Sequence, residues 1–368
     1  MAEAGATAQP SGKYAAGVAR GDWQDDPAQH AALQALDLIH AALAQSPPRK
    51  GLLGALFGDG DQAVTQGLYL WGGVGRGKTF LIDLFFDGLP IEPKRRTHFH
   101  RFMREVHQQL RAHSGERDPL AAIARQWGKQ FRVLVLDEFF VSDIGDAMLL
   151  GRLLEKLFAE GVVLVTSSNT PPPALYKDGL QRARFLPAIA SIEKHCVIVH
   201  LDSPTDYRLR ALTRSPVYRA PLDGESDTWL QSRWHELGGD DAHRDGSIEF
   251  EGRKIATRAR CKGMAWFDFA ALCEGPRGSA DYIEIAQEFH TLLVGNIPIL
   301  TVQNDDAVRR FVTLIDELYD RHVNLVCTAA ATPPALYSGE RLSAAFERTA
   351  SRLIEMQSTE YLALEHRG

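Results

Sequence analysis

From Asp25 onward the apolar positions fall at helical spacing. Ala32, Leu33, Leu36, Ile39 and Leu43 share one face, Asp25, Asp26 and Pro27 form a plausible start, and SPPRKG at 46–51 a stop. Residues 1–20 are small and polar and predict a mobile start, and a Gly-rich stretch follows the helix to about Gly67. Beyond it the pattern becomes short, unbroken apolar runs. Leu68–Trp71, Phe131–Leu136, Val162–Ser167 and Ile192–Leu201 each have the length and composition of a strand buried on both faces. Helical segments lie between them. One runs from Lys78 through Phe86, one carries Met103, Val106 and Leu110 after a strand or strand end at Thr97–Phe102, and one spans Asp146–Glu160. Strands alternating with helices predict an α/β fold with a parallel sheet flanked by helices. Residues 202–247 are polar and Gly-rich and predict a linker or small inserted unit, followed by a hairpin of Ile248–Ala256 with Ala259–Phe269. The expected division is a flexible start and helix (1–50), a core (51–205), a linker or inserted unit with hairpin (206–260), and a C-terminal α/β region with a terminal helix (261–368).

The later part of the chain echoes the earlier part. Leu153–Tyr176 aligns without gaps to Leu314–Tyr337, 161 residues on, with ten of 24 positions identical and both segments ending in P-P-A-L-Y. With a short gap, His290–Val294 falls against the Val133–Leu136 run. The C-terminal region is therefore read as a degenerate partial repeat of the core, in which Gly295 stands for Asp137 and Ala330 for Asn169 and no glycine loop precedes. Two helix–strand units that converged on similar apolar spacing are the alternative.

Gly72-Gly73-Val74-Gly75-Arg76-Gly77-Lys78-Thr79, followed by Phe80, satisfies G-x-x-x-x-G-K-[ST] between a strand and a helix. Glycines there let backbone N–H groups curl around phosphates, and the helix N-terminus adds its dipole. Lys78 would reach the β- and γ-phosphates of ATP, and the Thr79 hydroxyl would coordinate Mg²⁺. Asp137 and Glu138 follow VLVL at the carboxyl end of a buried strand, where α/β proteins bind ligands. Asp137 suits the metal's shell and Glu138 the activation of water. The chain between Lys78 and Asp137 holds one extra strand and helix, and a glutamate directly follows the aspartate. Together these separate hydrolysing motor-type (ASCE-type) P-loop NTPases from most nucleotide kinases, and no N-K-x-D motif points to guanine.

Other residues carry weaker signals. Asn169 ends the next strand, where it could sense the γ-phosphate or serve as a turn residue. Arg182 and Arg184 in GLQRARF are candidates for an arginine finger reaching a neighbouring subunit, Arg182 being favoured, or for solvated charges. Arg348 and Arg352 lie four apart on a C-terminal helix and could report on nucleotide or form a surface ion pair. His98 and His100 share a strand side but lack a third ligand, which favours structural histidines over a metal pair.

Composition narrows the classes. The chain has 368 residues, 45% of them hydrophobic, and Lys and Arg total 41 against 47 Asp and Glu for a net charge of −6. That balance argues against a nucleic-acid partner, although a nucleic-acid motor or helicase loader remains the alternative of another class. Four scattered cysteines without a C-x-x-C pair predict reduced core thiols. No run approaches a membrane span and no transit-peptide character is evident, so a cytoplasmic protein without direct membrane insertion is expected.

Four stretches then resemble one family: GLYLWGGVGRGKTFLIDLFF, RRTHFHRFMREVH, VLVLDEFFVSDIGDAMLL and LYKDGLQRARFLPAI are similar to the ZapE cell-division ATPases of bacteria. Their eukaryotic relatives are mitochondrial ATPases of the lactation-elevated-protein type. DYIEIAQEFHTLLVGNIPIL, RRFVTLIDELYDRHVNLV and FERTASRLIEMQSTEYL continue the likeness, which runs from about Tyr14 to Leu362 and is loosest at 210–247. The resemblance implies an AAA+-like ATPase associated with FtsZ or other division proteins at the division site, forming an ATP-dependent homo-oligomer. In the mitochondrial branch it implies a chaperone-like role toward membrane-complex subunits, and a nucleotide-gated scaffold is a further alternative. It makes Gly72–Thr79 the Walker A loop and Asp137–Glu138 the Walker B pair, and supports Asn169 as the first sensor and the Gln181–Arg182 region as the trans-acting arginine.

Overall fold

Alternation within the apolar runs sets the two faces of the first sheet. In the computed structural model, which describes residues 9–45, 65–141, 143–203, 207–239, 244–250, 253–261 and 263–367, the chain divides into two units, 1–205 and 206–368. The expected helix stop at 46–51 and most of the Gly-rich stretch lie outside the described residues. In the first unit the elements run α1 (Pro10–Arg20), α2 (His30–Gln45), β1 (Gly67–Trp71), α3 (Lys78–Gly88), β2 (Lys94–His98) and α4 (Phe99–Ala112). They continue with α5 (Pro119–Gln130), β3 (Val133–Asp137), α6 (Ile144–Ala159), β4 (Val163–Ser168), α7 (Leu186–His195) and β5 (Cys196–His200). The strands form an all-parallel sheet in the order β2-β3-β4-β1-β5. Leu68, Leu70, Val133, Val135, Val163 and Val165 pack on α1, α2 and α3, while Tyr69, Leu134, Leu136 and Leu164 pack on α4 to α7. The same period of two puts Asp137 on the α3 side, toward the helix that follows the glycine loop.

Three local expectations change. The start is helical from Pro10, because Tyr14 is buried: its phenol accepts the Asp26 N–H at 2.8 Å, and the Trp23 indole donates to its carbonyl at 3.0 Å. Thr97–Phe102 divides, the strand ending at His98 and the helix beginning at Phe99. The run from Ile192 divides at Cys196, where α7 gives way to β5. Each of these two stretches was read as one element, yet the end of one element and the start of the next share it.

The second unit runs α8 (Tyr207–Thr213), β6 (Tyr218–Arg219), α9 (Ser226–Glu236), β7 (Arg244–Phe250), β8 (Arg253–Cys261), β9 (Met264–Asp268) and α10 (Phe269–Cys273). It continues with α11 (Ser279–Glu288), β10 (Thr291–Ile297), α12 (Asp305–Asp320), β11 (Asn324–Ala329), α13 (Ser343–Glu355) and α14 (Thr359–Leu362). Its sheet has the order β6-β11-β10-β9-β8-β7. The stretch expected as a linker is structural. Leu212, Val217, Leu230 and Trp234 pack with Trp266, Leu293 and Val326 in one core, which sparse apolar residues among polar ones had concealed. The expected hairpin also shifts. β8 pairs antiparallel with β7 through Ile248↔Ile255 and with β9 through Ala259↔Trp266, because Ile255, Thr257 and Ala259 alternate inward and keep the strand intact past Ala256.

The repeat holds element by element. α6 and α12 have 16 residues each, β4 and β11 six each, and a short 3₁₀ turn follows at Pro172–Ala174 and at Pro333–Ala335, all at the offset of 161. Val133 pairs with Val163 as Thr291 pairs with Asn324, which aligns Asp137 with Gly295. The residues after these have positive φ, 55° at Glu138 and 63° at Asn296. Each N–H donates to a hydroxyl of the neighbouring strand, Glu138 to Ser167 at 3.2 Å and Asn296 to Thr328 at 3.1 Å. The correspondence extends beyond the aligned segment. Tyr69 donates its phenol to the Thr170 carbonyl at 2.8 Å, and Tyr218 donates to Ala331 at 2.7 Å. That makes β6 the counterpart of β1, with β9-β10-β11-β6 repeating β2-β3-β4-β1, and α9 takes the place of α3. Where the first unit has its glycine loop, the second has residues 220–225, and Arg219 at the end of β6 pairs there with Asp223 at 2.8 Å. The carboxylate of Asp227 then lies in the first turn of α9. An acid at a helix N-terminus disfavours a phosphate there.

If the two tyrosines are equivalent, Tyr69→Phe and Tyr218→Phe each cost about 1 kcal/mol, the loss of one buried hydrogen bond. Urea unfolding of the two variants against wild type measures this.

Candidate nucleotide site

The glycine loop joins β1 to α3. Gly75 has φ 72° and Gly77 φ 94°, in the left-handed region that side chains rarely adopt. A Cβ on Gly77 would also stand 2.7 Å from the Gln29 amide nitrogen, which donates to the Arg76 carbonyl at 3.3 Å. Gln29 thus ties the N-terminal helices to the loop, a contact that the sequence did not single out. Lys78, the first residue of α3, is buried, and its ammonium donates to the carbonyls of Gly72 at 2.6 Å and Gly73 at 2.7 Å and to Asn169 Oδ1 at 2.7 Å. Asn169, just past β4, is therefore brought onto the loop lysine. The Arg76 guanidinium donates to the Ser203 carbonyl, and the side chain of Thr79 lies on the exposed side of the first helical turn.

The acidic pair sits at the tip of β3. The Asp137 side chain is 8% exposed and does not stand alone. Arg96 on β2 grips it with two bonds, Nε to Oδ2 at 2.6 Å and Nη2 to Oδ1 at 3.0 Å, and its Nη1 donates to Asp83 on α3. Burial would depress the Arg96 pKa, but Asp137, and then Asp83, hold it above its ordinary value. Arg96 lies inside the RRTHFHRFM stretch, but as one arginine beside another it carried no signal until the register of β2 on β3 was known. Glu138 is more open, at 36% side-chain exposure, with the His98 Nδ1 3.8 Å from its carboxylate. His98 is thus beside the acid expected to activate water, and its ring centroid lies 6.0 Å from that of His100. Burial, then the neighbouring His98, Arg101 and Arg104, push the His100 pKa down to about 4. Among the described residues no cluster of three or more His, Cys, Asp or Glu is arranged for a metal.

The arginines divide. Arg182 is partly covered and donates to the Pro173 carbonyl of its own chain, while Arg184 is exposed beside the exposed Leu186. Arg348 pairs with Asp316 at 3.0 Å, and Arg352 pairs with Asp316 and with Asp320 at 3.5 Å, the ion-pair arrangement. Cys196, Cys273 and Cys327 are buried free thiols and Cys261 is partly buried, and burial raises Cys196 to about 12. No described helix is long and apolar enough to cross a membrane.

The sequence profile described as AFG1-like ATPase matches residues 8–365 of this chain. The chain belongs to the AFG1-like ATPase family. It is an ATP-hydrolysing enzyme on that membership. Among its relatives, the Cell division protein ZapE of Escherichia coli (strain K12) is 43% identical over 97% of this chain and 98% of its own length. Lactation elevated protein 1 homolog B of Danio rerio is 34% identical over 80% of this chain and 68% of its own. The resemblance read from the motifs therefore holds over nearly the whole sequence.

The low His100 pKa has a sign that can be measured. Its folded value of about 4 lies below the ordinary 6.5, so the unfolded chain takes up the proton first as pH falls. Stability from this group is intact above about 6.5 and declines steadily toward pH 4. The expected result is that His100→Gln flattens the acid limb of melting temperature between pH 6.5 and 4; an unchanged difference from wild type would show that His100 titrates normally.

Proposed function

We propose that this chain hydrolyses Mg·ATP at the glycine loop to act mechanically on a bacterial division protein, FtsZ being the candidate, as an ATP-dependent homo-oligomer in the cytoplasm. The observation that carries the reading is the meeting of Lys78 with Asn169 on the loop carbonyls, with the Asp137–Glu138 pair on a strand of the same sheet. The name of the Escherichia coli relative supports the division role.

The residues fit the expected chemistry. Lys78 now satisfies its charge on loop carbonyls, which triphosphate oxygens would replace, and the loop N–H groups would hold the β- and γ-phosphates. Thr79 and Asp137 are hard oxygen donors of the type Mg²⁺ prefers. A bound magnesium ion would supply neutralisation of phosphate charge. Glu138, the more exposed of the two acids, orients the attacking water and accepts its proton. Asn169, already on Lys78, reports the γ-phosphate. The finger is assigned to the Arg182–Arg184 turn. Arg184 is free to reach outward, and Arg182 would have to leave the Pro173 carbonyl.

Lys78→Ala is expected to abolish binding of a fluorescent ATP analogue. Glu138→Gln is expected to keep binding and to lower turnover by about 10²–10⁴-fold, the range of general-base removal. Normal turnover by the glutamine variant would remove Glu138 from the mechanism. For the partner, co-sedimentation with FtsZ polymers is expected to change with ATP in wild type and to persist in Glu138→Gln; no association in any nucleotide state would discard FtsZ.

A further inference from the structure

Asp137 raises a problem that the proposed mechanism leaves open. A carboxylate this enclosed calls for a cation beside it, and the cation that contacts it among the described residues is Arg96. The guanidinium does not touch one oxygen and leave the other for a metal. It takes Oδ1 and Oδ2 together, in the two-bond geometry that matches a carboxylate best. We propose that Arg96 is the resident counter-cation of Asp137, and that a divalent cation reaches this carboxylate only as the guanidinium gives up at least one of its two bonds there. This rests on the reading of Asp137 as the metal-side acid.

Three observations support a displaceable clamp over a permanent tie. The third guanidinium nitrogen, Nη1, already holds Asp83, whose side chain is 24% exposed, so Arg96 keeps an anionic partner after releasing Asp137. Its guanidinium carbon lies 6.0 Å from the Phe86 ring centroid, a second favourable surface. Arg96 also stands on β2, which pairs with β3 on one side and forms an end of the sheet, so its movement disturbs no central strand. The guanidinium fills one lone pair on each oxygen and its charge repels an approaching cation, so the two compete for this carboxylate. Occupancy of Asp137 by Arg96 therefore opposes metal loading and sets the magnesium concentration that the site requires.

The test is a magnesium titration of protein saturated with a non-hydrolysable ATP analogue, followed by heat of binding, together with the melting temperature of the metal-free protein. Three forms are compared: wild type, Arg96→Gln and Arg96→Lys. Arg96→Gln is expected to lower the half-saturating magnesium concentration by about tenfold, the scale of one charge-assisted hydrogen bond no longer competing. It should also lower the metal-free melting temperature, with magnesium and analogue restoring more of the loss than they add to wild type. Arg96→Lys keeps the charge but cannot hold both oxygens in a fork. It is expected to shift magnesium binding in the same direction as the glutamine variant, by a smaller factor. If lysine matches wild type, the effect is unspecific charge and the proposal fails. If both variants bind magnesium more weakly, Arg96 is a permanent support for Asp137 and the proposal fails likewise. A wild-type protein that binds the analogue without any response to magnesium would instead overturn the reading of Asp137 itself.

Discussion

A carboxylate enclosed at the tip of a central strand costs several kcal/mol unless a cation meets it, and the first unit is arranged around that requirement. The alternation of β3 turns Asp137 toward α3, where Asp83 also lies. The adjoining β2 carries Arg96 at the position from which one guanidinium spans both acids. On the other side of β4, Lys78 meets its own requirement with two loop carbonyls and Asn169. Both buried charges are thus satisfied by groups of the chain itself. Charges neutralised within the chain need no ligand to offset the cost of burying them.

The second unit shows what remains of such a sheet when that requirement is removed. It keeps the backbone devices: two positive-φ residues at matching strand ends, two tyrosines closing matching carbonyls, two helices of equal length. It lacks the charged groups of the first unit's candidate site. Gly295 stands for Asp137, Ala330 for Asn169, and an acid opens the helix that would face phosphate. Asn296, in the place of Glu138, donates to Asp268 at 3.1 Å, where the first unit has His98 beside Glu138. Packing geometry has been retained while the chemistry has changed, since hydrogen bonds within the strands stabilise the fold whether or not a ligand binds.

The membership in the AFG1-like ATPase family and the duplicated sheet belong to the same description. Arg348 and Arg352 of the second unit form ion pairs with Asp316, while the first unit holds the glycine loop, the acidic pair, Asn169 and the two finger candidates. In the second, the described residues that correspond to them carry none of those groups. The proposed hydrolytic chemistry therefore draws on the first unit alone.

Much of this was legible in the residues themselves. Glycine spacing before Lys78, the apolar run before Asp137 and the P-P-A-L-Y echo are local patterns, and local patterns report strand, loop and helix because backbone geometry has fixed periods. The helical start at Pro10 was not legible, since it depends on Tyr14 meeting Asp26. Nor was the role of 207–236, whose few apolar residues find partners only across the second sheet. Arg96 marks the limit most clearly. Its identity was in the chain, but its bond to Asp137, 41 positions away, exists only because β2 lies beside β3. Chain order determined which groups were present; strand neighbourhood, a property of the folded sheet alone, decided which charges meet.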